Sequence, residues 1–208
     1  MCLNLLLLRM AKIPDNFAEI LSKGIKENFP MLSYQKMLEL IPHFQIQQIS
    51  KKSEIIKSGQ FYGNIVFVIS GLFRAYYQNN EVENTFWFRE EFSVFASHRS
   101  ILANQPSTIS YQAVEDSMVA VIDYDFLKEL AETDKEVANS IVIVLEGLVL
   151  ELIDRVEEFI TLSPEQRYQF FIEKHQNIVS RVPQQQLASF IGITPESFSR
   201  LKSRMMKK

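Results

Sequence analysis

The chain of 208 residues is expected to fold as an α+β protein in three parts. These are an antiparallel β-barrel or jelly roll preceded by short helices, one long amphipathic helix, and a C-terminal pair of short helices around a glycine turn. Three observations lead there. Seven short runs rich in Ile, Val, Phe and Tyr lie between residues 44 and 123, separated by turn signals, as in a rolled-up antiparallel sheet. Residues 134–160 carry apolar side chains at spacings of three and four, enough for a rod of about 40 Å at ~1.5 Å per residue. Residues 184–201 set a glycine between two short segments with helical apolar spacing.

Taken in order, Phe17, Ile20, Leu21 and Ile25, then Tyr34, Met37, Leu38 and Ile41, mark two or three opening helices punctuated by Pro14, Pro30 and Pro42. The strand runs are 44–49, 53–57, 65–70, 72–78, 82–88, 108–114 and 118–123, with Gly59, Gly71 and Asn79-Asn80 at turns. A short helix is expected over 124–132. In the long helix, Val137, Ile141, Leu145, Leu148, Leu152, Val156 and Phe159 form a stripe that Ile143, Val144 and Val149 widen. That face exceeds what a small barrel covers. It predicts a parallel coiled-coil dimer seamed by Ile141, Leu145, Leu148, Leu152 and Val156, the alternative being a helix buried on its own barrel. Ser163, with Glu165 and Gln166 behind it, begins a new helix after the rod. The domains are therefore 1–132, barrel with opening helices; 133–162, dimerisation helix; and 163–208, C-terminal module.

The C-terminal module has the pattern of a DNA-reading helix-turn-helix. Leu187, Ile191, Ile193, Phe198 and Leu201 fall where two steeply crossing helices bury side chains, Ala188 is small at their closest approach, and Gly192 makes the turn. Thr194 is a good N-cap, Pro195 suits the first helical position, and Glu196 favours the positive end of the dipole. Glu196, Ser197, Ser199, Arg200 and Ser203 then point away from Phe198 and Leu201, as a helix in a major groove requires, while Lys202, Arg204, Lys207 and Lys208 supply charge for phosphates. An ordinary helical bundle with a solvated basic end is the plainer alternative. Charge favours the first reading: residues 163–208 hold eight Lys/Arg against three Asp/Glu, net +5, and residues 1–162 hold fourteen against twenty-two, net −8.

Composition excludes several classes. With 47% hydrophobic residues the chain can build a proper core. Its single cysteine, Cys2, supports neither a disulfide framework nor a cysteine-ligated cluster or zinc site. The apolar leader at 3–8 lacks a basic segment and a cleavage pattern, and is too short to span a bilayer, so a cytoplasmic protein with no membrane partner is expected. Met10 is an alternative start. His43, His98 and His175 are isolated, and no phosphate loop, Gly-x-Ser-x-Gly elbow or His-Glu-x-x-His helix occurs, so neither a metal site nor an enzyme is expected.

The order barrel, long helix, helix-turn-helix resembles the family of catabolite activator protein and its fumarate–nitrate relatives, the Crp/Fnr regulators, over nearly the whole chain. The residues that carry the likeness are Val66-Phe67-Val68-Ile69-Ser70-Gly71-Leu72-Phe73-Arg74, Ser110-Tyr111-Gln112-Ala113-Val114-Glu115-Asp116-Ser117, Val119-Ala120-Val121-Ile122, and Gly192-Ile193-Thr194-Pro195-Glu196-Ser197-Phe198-Ser199-Arg200. The resemblance implies a cyclic-nucleotide-binding-like barrel, a winged-type helix-turn-helix, and a homodimeric transcription regulator with double-stranded DNA and RNA polymerase as partners. It implies Glu196 and Arg200 as base contacts, with Ser197 and Ser199 near bases or phosphates and Thr194, Lys202, Ser203 and Arg204 around them; Arg suits guanine and Glu suits cytosine N4.

The chain departs from the family where a nucleotide phosphate would sit. No glycine lies between Gly71 and Gly147 and no arginine between Arg99 and Arg155. A buried phosphate without a guanidinium or amide nest is costly, which argues against cyclic AMP as cofactor and leaves any effector unidentified. Phe86, Phe88, Arg89, Phe95, Arg99, Ser107 and Thr108 are the candidate pocket for an apolar or weakly anionic effector, against the alternative that the rings are barrel core. A dimeric effector- or protein-binding module without DNA affinity is the competing function.

Overall fold

The computed structural model describes residues 29–80 and 82–205. The leader at 3–8, Cys2, the helix expected around Phe17 to Ile25, and Lys207 and Lys208 lie outside the described residues. Helix α1 (Tyr34–Leu40) opens where the Ser33 hydroxyl accepts from the Lys36 amide, and a 3-10 turn (Ile41–His43) carrying Pro42 ends it.

Eight strands follow: β1 (Gln45–Ile49), β2 (Glu54–Ile56), β3 (Asn64–Ser70), β4 (Phe73–Asn79), β5 (Val82–Arg89), β6 (Val94–Ala96), β7 (Ser110–Ala113) and β8 (Ser117–Asp123). They form two antiparallel sheets, in the orders β1-β8-β3-β6 and β2-β7-β4-β5. All seven expected runs appear as strands. Strand β6 and the six-residue helix α2 (His98–Ala103) are additions, each too short to register as a periodic pattern. Alternation along the strands fills the space between the sheets with Val66, Val68, Phe73, Ala75, Trp87, Phe95, Tyr111, Val119 and Val121. Phe95 stacks on Tyr111 at 4.3 Å. Gly71 turns β3 into β4 at φ +100°, and a Cβ there would strike Ser117, so position and conformation both demand glycine.

Helix α3 (Tyr124–Ala131) is capped by Asp123, and α4 (Lys135–Thr161), of 27 residues, by Asp134 accepting from the Glu136 and Val137 amides. Val137 is buried at its start and Leu148 packs on the barrel core, so one face of α4 is spent on the barrel. Its other face is bare. Among the described residues no helix is long and apolar enough to cross a membrane.

The C-terminal module contains α5 (Pro164–Lys174), α6 (Gln184–Ile191) and α7 (Pro195–Met205). Ser163 and Gln166 form the expected capping box ahead of α5. All described strands precede residue 124, so no strand stands in the place of the wing that the resemblance implies; the strand packed beside α6 is β5 of the barrel. The module does not stand apart. Its buried residues, among them Phe171, Ile178, Val182, Phe190 and Phe198, join Leu72, Phe88 and Val114 of the barrel in one apolar cluster.

Candidate functional site

The helix-turn-helix is built as the apolar spacing requires. Leu187, Ala188, Ile191, Phe198 and Leu201 are all buried, and Tyr168 of α5 meets Phe198 edge-on at 4.9 Å. Gly192 takes φ +83°, with its amide bonded to the carbonyls of Ala188 and Ser189. A Cβ on Gly192 would lie 2.8 Å from the Phe159 ring of α4, so the turn needs glycine for space as well as for conformation. The Thr194 hydroxyl accepts from the Ser197 amide at 3.3 Å, which caps α7 as expected.

This arrangement exposes one polar face. Thr194, Glu196, Ser199, Arg200, Ser203 and Arg204 are exposed, and Ser197 and Lys202 are half-buried. Arg200 touches only the Ser197 hydroxyl, at 3.4 Å, and leaves most of its donors to an incoming partner. Glu196 sits at the helix start, where the local amide and the Thr194 side chain hold its carboxyl below the ordinary value, so it is an anion and an acceptor at neutral pH.

Two arginines that nothing in the sequence marked out hold the turn. Arg155 of α4 is buried, donates to the Phe190 carbonyl at 2.6 Å, pairs with Glu158 at 3.2 Å and stacks over the Phe190 ring at 3.7 Å. Burial pushes its pKa down to about 10, so it stays charged at neutral pH. Arg167 of α5 donates to the Ile191 carbonyl at 2.9 Å and the Leu162 carbonyl at 2.7 Å. Together they satisfy carbonyls at the C-terminus of α6, where a cation suits the helix dipole. In sequence each reads as an ordinary surface charge.

The expected dimer residues divide between two faces. Leu152 and Val156 are exposed. Ile141, Leu145 and Leu148 are half-buried and line a cleft between α4 and the barrel. The exposed apolar positions are Val142, Val149, Leu150, Leu152, Ile153, Val156, Phe159 and Ile160, so the bare stripe is rotated from the one the spacing alone selects.

That cleft, of about 540 Å³, is walled by Arg89, Phe92, Phe95, His98, Leu148 and Glu151. Arg89 pairs with Glu151 at 2.7 Å across it. Burial, and next the Arg89 charge, lower the pKa of His98. Of the seven candidate effector residues only Arg89 and Phe95 reach the cleft. Phe88 faces the C-terminal module, 5.3 Å from Phe190, and Phe86 packs against Trp87 at 4.4 Å. Arg99 and Thr108 are exposed, and the Ser107 hydroxyl is occupied by the Ile109 backbone. A bulge leaves Phe86 without an opposite residue, since Ala75 opposes Trp87 and Tyr76 opposes Thr85. Among the described residues no group of three or more His, Cys, Asp or Glu is placed to hold a metal ion.

No protein-family model and no curated protein matches the chain. Solved structures do. FixK2 from Bradyrhizobium japonicum superposes with a TM-score of 0.70 at 16% identity, covering 79% of this chain and 85% of that one. The c-di-GMP-responsive global regulator CLP of Xanthomonas campestris gives 0.70 at 14%, covering 84% and 92%. Thermus thermophilus catabolite activator protein gives 0.55 at 18%, covering 86% of each chain. At these identities the likeness is one of architecture, and the chain thus has the fold of the Crp/Fnr regulators, a cyclic-nucleotide-binding-like jelly roll joined by a long helix to a helix-turn-helix.

Proposed function

We propose that the protein is a sequence-specific DNA-binding transcription regulator, that it acts as a homodimer, and that it does not respond to cyclic AMP. The exposed polar face of α7 carries this reading: Glu196, Ser199, Arg200 and Ser203 are exposed on a helix whose opposite face is anchored by Phe198 and Leu201. Arg200 reads a base edge, Glu196 accepts from a base or orders Arg200, and Lys202 and Arg204 meet phosphates.

Dimerisation follows from α4. Val142, Val149 and Val156 recur every seven residues, with Leu145 and Leu152 three places after the first two. Val at one core position and Leu at the other favours a parallel two-stranded coil. Ile141, Leu145 and Leu148 all line the barrel-side cleft, so Leu145 borders both faces and the seam rests on Val142, Val149, Leu152 and Val156. Against cyclic AMP stands the sequence itself, which offers no glycine between Gly71 and Gly147 and no arginine between Arg99 and Arg155 to hold a buried phosphate. The module-without-DNA alternative has no observation in its favour.

The test is selection of bound duplexes from random DNA, followed by titrations of the selected site and a scrambled one. The selected site should be an inverted repeat with half-sites about one helical turn apart. Arg200→Ala should lose about 1–3 kcal/mol on the selected site and little on the scrambled one, whereas Lys202→Ala should weaken both and lower the salt slope. Cyclic AMP should change neither titration. Equal losses on both duplexes for Arg200→Ala would make Arg200 a phosphate clamp and remove the base-reading assignment.

A further inference from the structure

We propose that the cavity where the barrel, α4 and the reading head (α5 to α7) meet is a binding site for a short-chain monocarboxylate, an organic anion with a small apolar tail. The cavity measures about 100 Å³ and takes its walls from four elements. Strand β5 supplies Trp87, Phe88 and Arg89, α4 supplies Arg155, α5 supplies Phe171 and α6 supplies Phe190, with His175 just after α5. The walls are fastened to one another. Arg181, between α5 and α6, donates to both carboxylate oxygens of Glu91, at 3.0 and 2.8 Å, and to Glu115 at 3.1 Å. Ser189 of α6 donates to the Glu83 carbonyl at 3.0 Å and accepts from the Thr85 amide at 2.9 Å. The site is therefore preformed, and a ligand in it does not have to order its own walls. The Arg89–Glu151 pair lines this cavity and the cleft on the barrel side of α4 alike, so the two spaces adjoin at that pair.

The charge of the ligand follows from Arg155. Only 6% of its side chain is exposed. Its Nη1 is engaged by Glu158 at 3.2 Å and its Nη2 by the Phe190 carbonyl at 2.6 Å, but its Nε is buried without a hydrogen-bond partner among the described residues. A buried donor left unmade is costly, and a carboxylate oxygen is the acceptor that suits a guanidinium best. Arg89 is the second guanidinium on the wall, 4.5 Å over the Trp87 ring. Two of the three acids lining the cavity are already spent, Glu151 on Arg89 and Glu158 on Arg155, and the third, Asp154, is exposed. The field inside is positive on balance. At His175, burial and then the charges of Lys174, Arg89 and Arg155 lower the pKa, with Glu151 acting against them.

The tail follows from the rings and from the volume. Trp87, Phe88, Phe171 and Phe190 form the apolar walls, with the Phe88 ring 5.3 Å from that of Phe190 and 5.9 Å from that of Phe171. Rings offer water no hydrogen bond and offer an inorganic dianion no partner for most of its oxygens, so a single carboxylate with a hydrocarbon tail suits the walls better than either. At ~30 Å³ per water the space equals about three waters, which admits propionate or butyrate and excludes hexanoate. Held by β5, α4, α5 and α6 at once, such an acid stabilises the arrangement in which they meet.

The experiment titrates the full chain with sodium propionate at neutral pH, with sodium chloride keeping the ionic strength constant. The readouts are the fluorescence of Trp87, the single tryptophan and a wall of the cavity, and thermal unfolding. Fluorescence should change saturably, half-maximally at about 1–10 mM, and the unfolding midpoint should rise with concentration. Butyrate should behave alike. Hexanoate, which is too long, and propionamide, which has the shape without the charge, should bind at least about tenfold more weakly, as should propionate to Arg155→Gln. No saturation with either short acid would overturn the site. Propionamide binding as well as propionate would overturn the anion assignment, and a folded Arg155→Gln that binds propionate undiminished would overturn the part given to Arg155. Should that variant not fold, the comparison of propionate with propionamide on the natural chain still decides. Binding is read without DNA, so the result stands apart from the regulator reading.

Discussion

The barrel interior and the seam between barrel and reading head are both apolar and rich in rings, but they are closed in different ways. Inside the barrel, Phe73, Phe95 and Tyr111 sit between the two sheets, and the Tyr111 hydroxyl meets the Arg89 side chain. At the seam, Phe88, Phe171 and Phe190 make a comparable ring cluster, with centroids 5.2–5.9 Å apart, yet Thr85 Oγ1, Gln186 Oε1 and Arg155 Nε are buried around it without a hydrogen-bond partner. The first region has one good arrangement. The second has a serviceable one, held by charge at its rim. Ring packing alone does not set the two regions apart; polar pairing does.

The largest effect that separates them is a ring deletion on each side. Phe73→Ala, at a fully buried site, should cost about 3–5 kcal/mol in urea unfolding of the whole chain. Phe88→Ala should cost less globally, about 1–3 kcal/mol, and should show instead as faster amide exchange in residues 175–191. Equal global losses from the two would mean that seam and barrel unfold as one unit, and the distinction drawn above would be lost.

Next in size is the turn braced by α4. Gly192→Ala forces a left-handed conformation on alanine and drives its Cβ against Phe159. The expected cost is about 1–3 kcal/mol in thermal stability together with loss of DNA binding, because the angle between α6 and α7 cannot be kept. A variant that binds DNA normally would show that Phe159 yields easily and that α4 does not brace the reading head.

What was legible in the sequence follows the same division. The helix-turn-helix is specified locally, by Gly192, Thr194, Pro195 and the spacing of Leu187, Ile191, Phe198 and Leu201, so it is legible almost residue by residue. Strand positions were legible from β-branched and aromatic runs. Which face of α4 meets the barrel was not, because its apolar stripe is wide enough to serve either way; only the barrel's position turns Ile141 and Leu148 inward and leaves Val142 and Val149 bare. That Arg89 and Phe95 alone of the candidate effector residues line the cleft is likewise not legible, since rings close in sequence can face different neighbours, as Phe88 and Phe95 do. Arg155, Arg167 and Arg181 were passed over because a buried arginine and a solvated one look alike until its partners, 24 to 90 residues away, are known.

The smallest expected effect is a pH response confined to the seam. His175 lies against the interdomain cavity with its Nδ1 3.8 Å from Glu90. Burial lowers its pKa below 6.5, and the charges of Lys174, Arg89 and Arg155 lower it further, while Glu151 works the other way. A base whose folded pKa is depressed contributes stability that is complete above about pH 6.5 and is lost as the pH falls through the folded value, because the opened state takes up the proton first. Glu90 opposes this weakly: burial, and then the Glu91 charge, raise its pKa, so acidification relieves it at lower pH. The seam should therefore loosen between pH 7 and 5.5 while the barrel does not. The chain's single tryptophan, Trp87, lines the same cavity and reports on it. Acrylamide quenching of Trp87 should increase over that interval in the natural chain and stay flat in His175→Gln. Quenching that rises equally in both would assign the response to another group, and quenching flat in both would mean that protonating His175 does not open the seam.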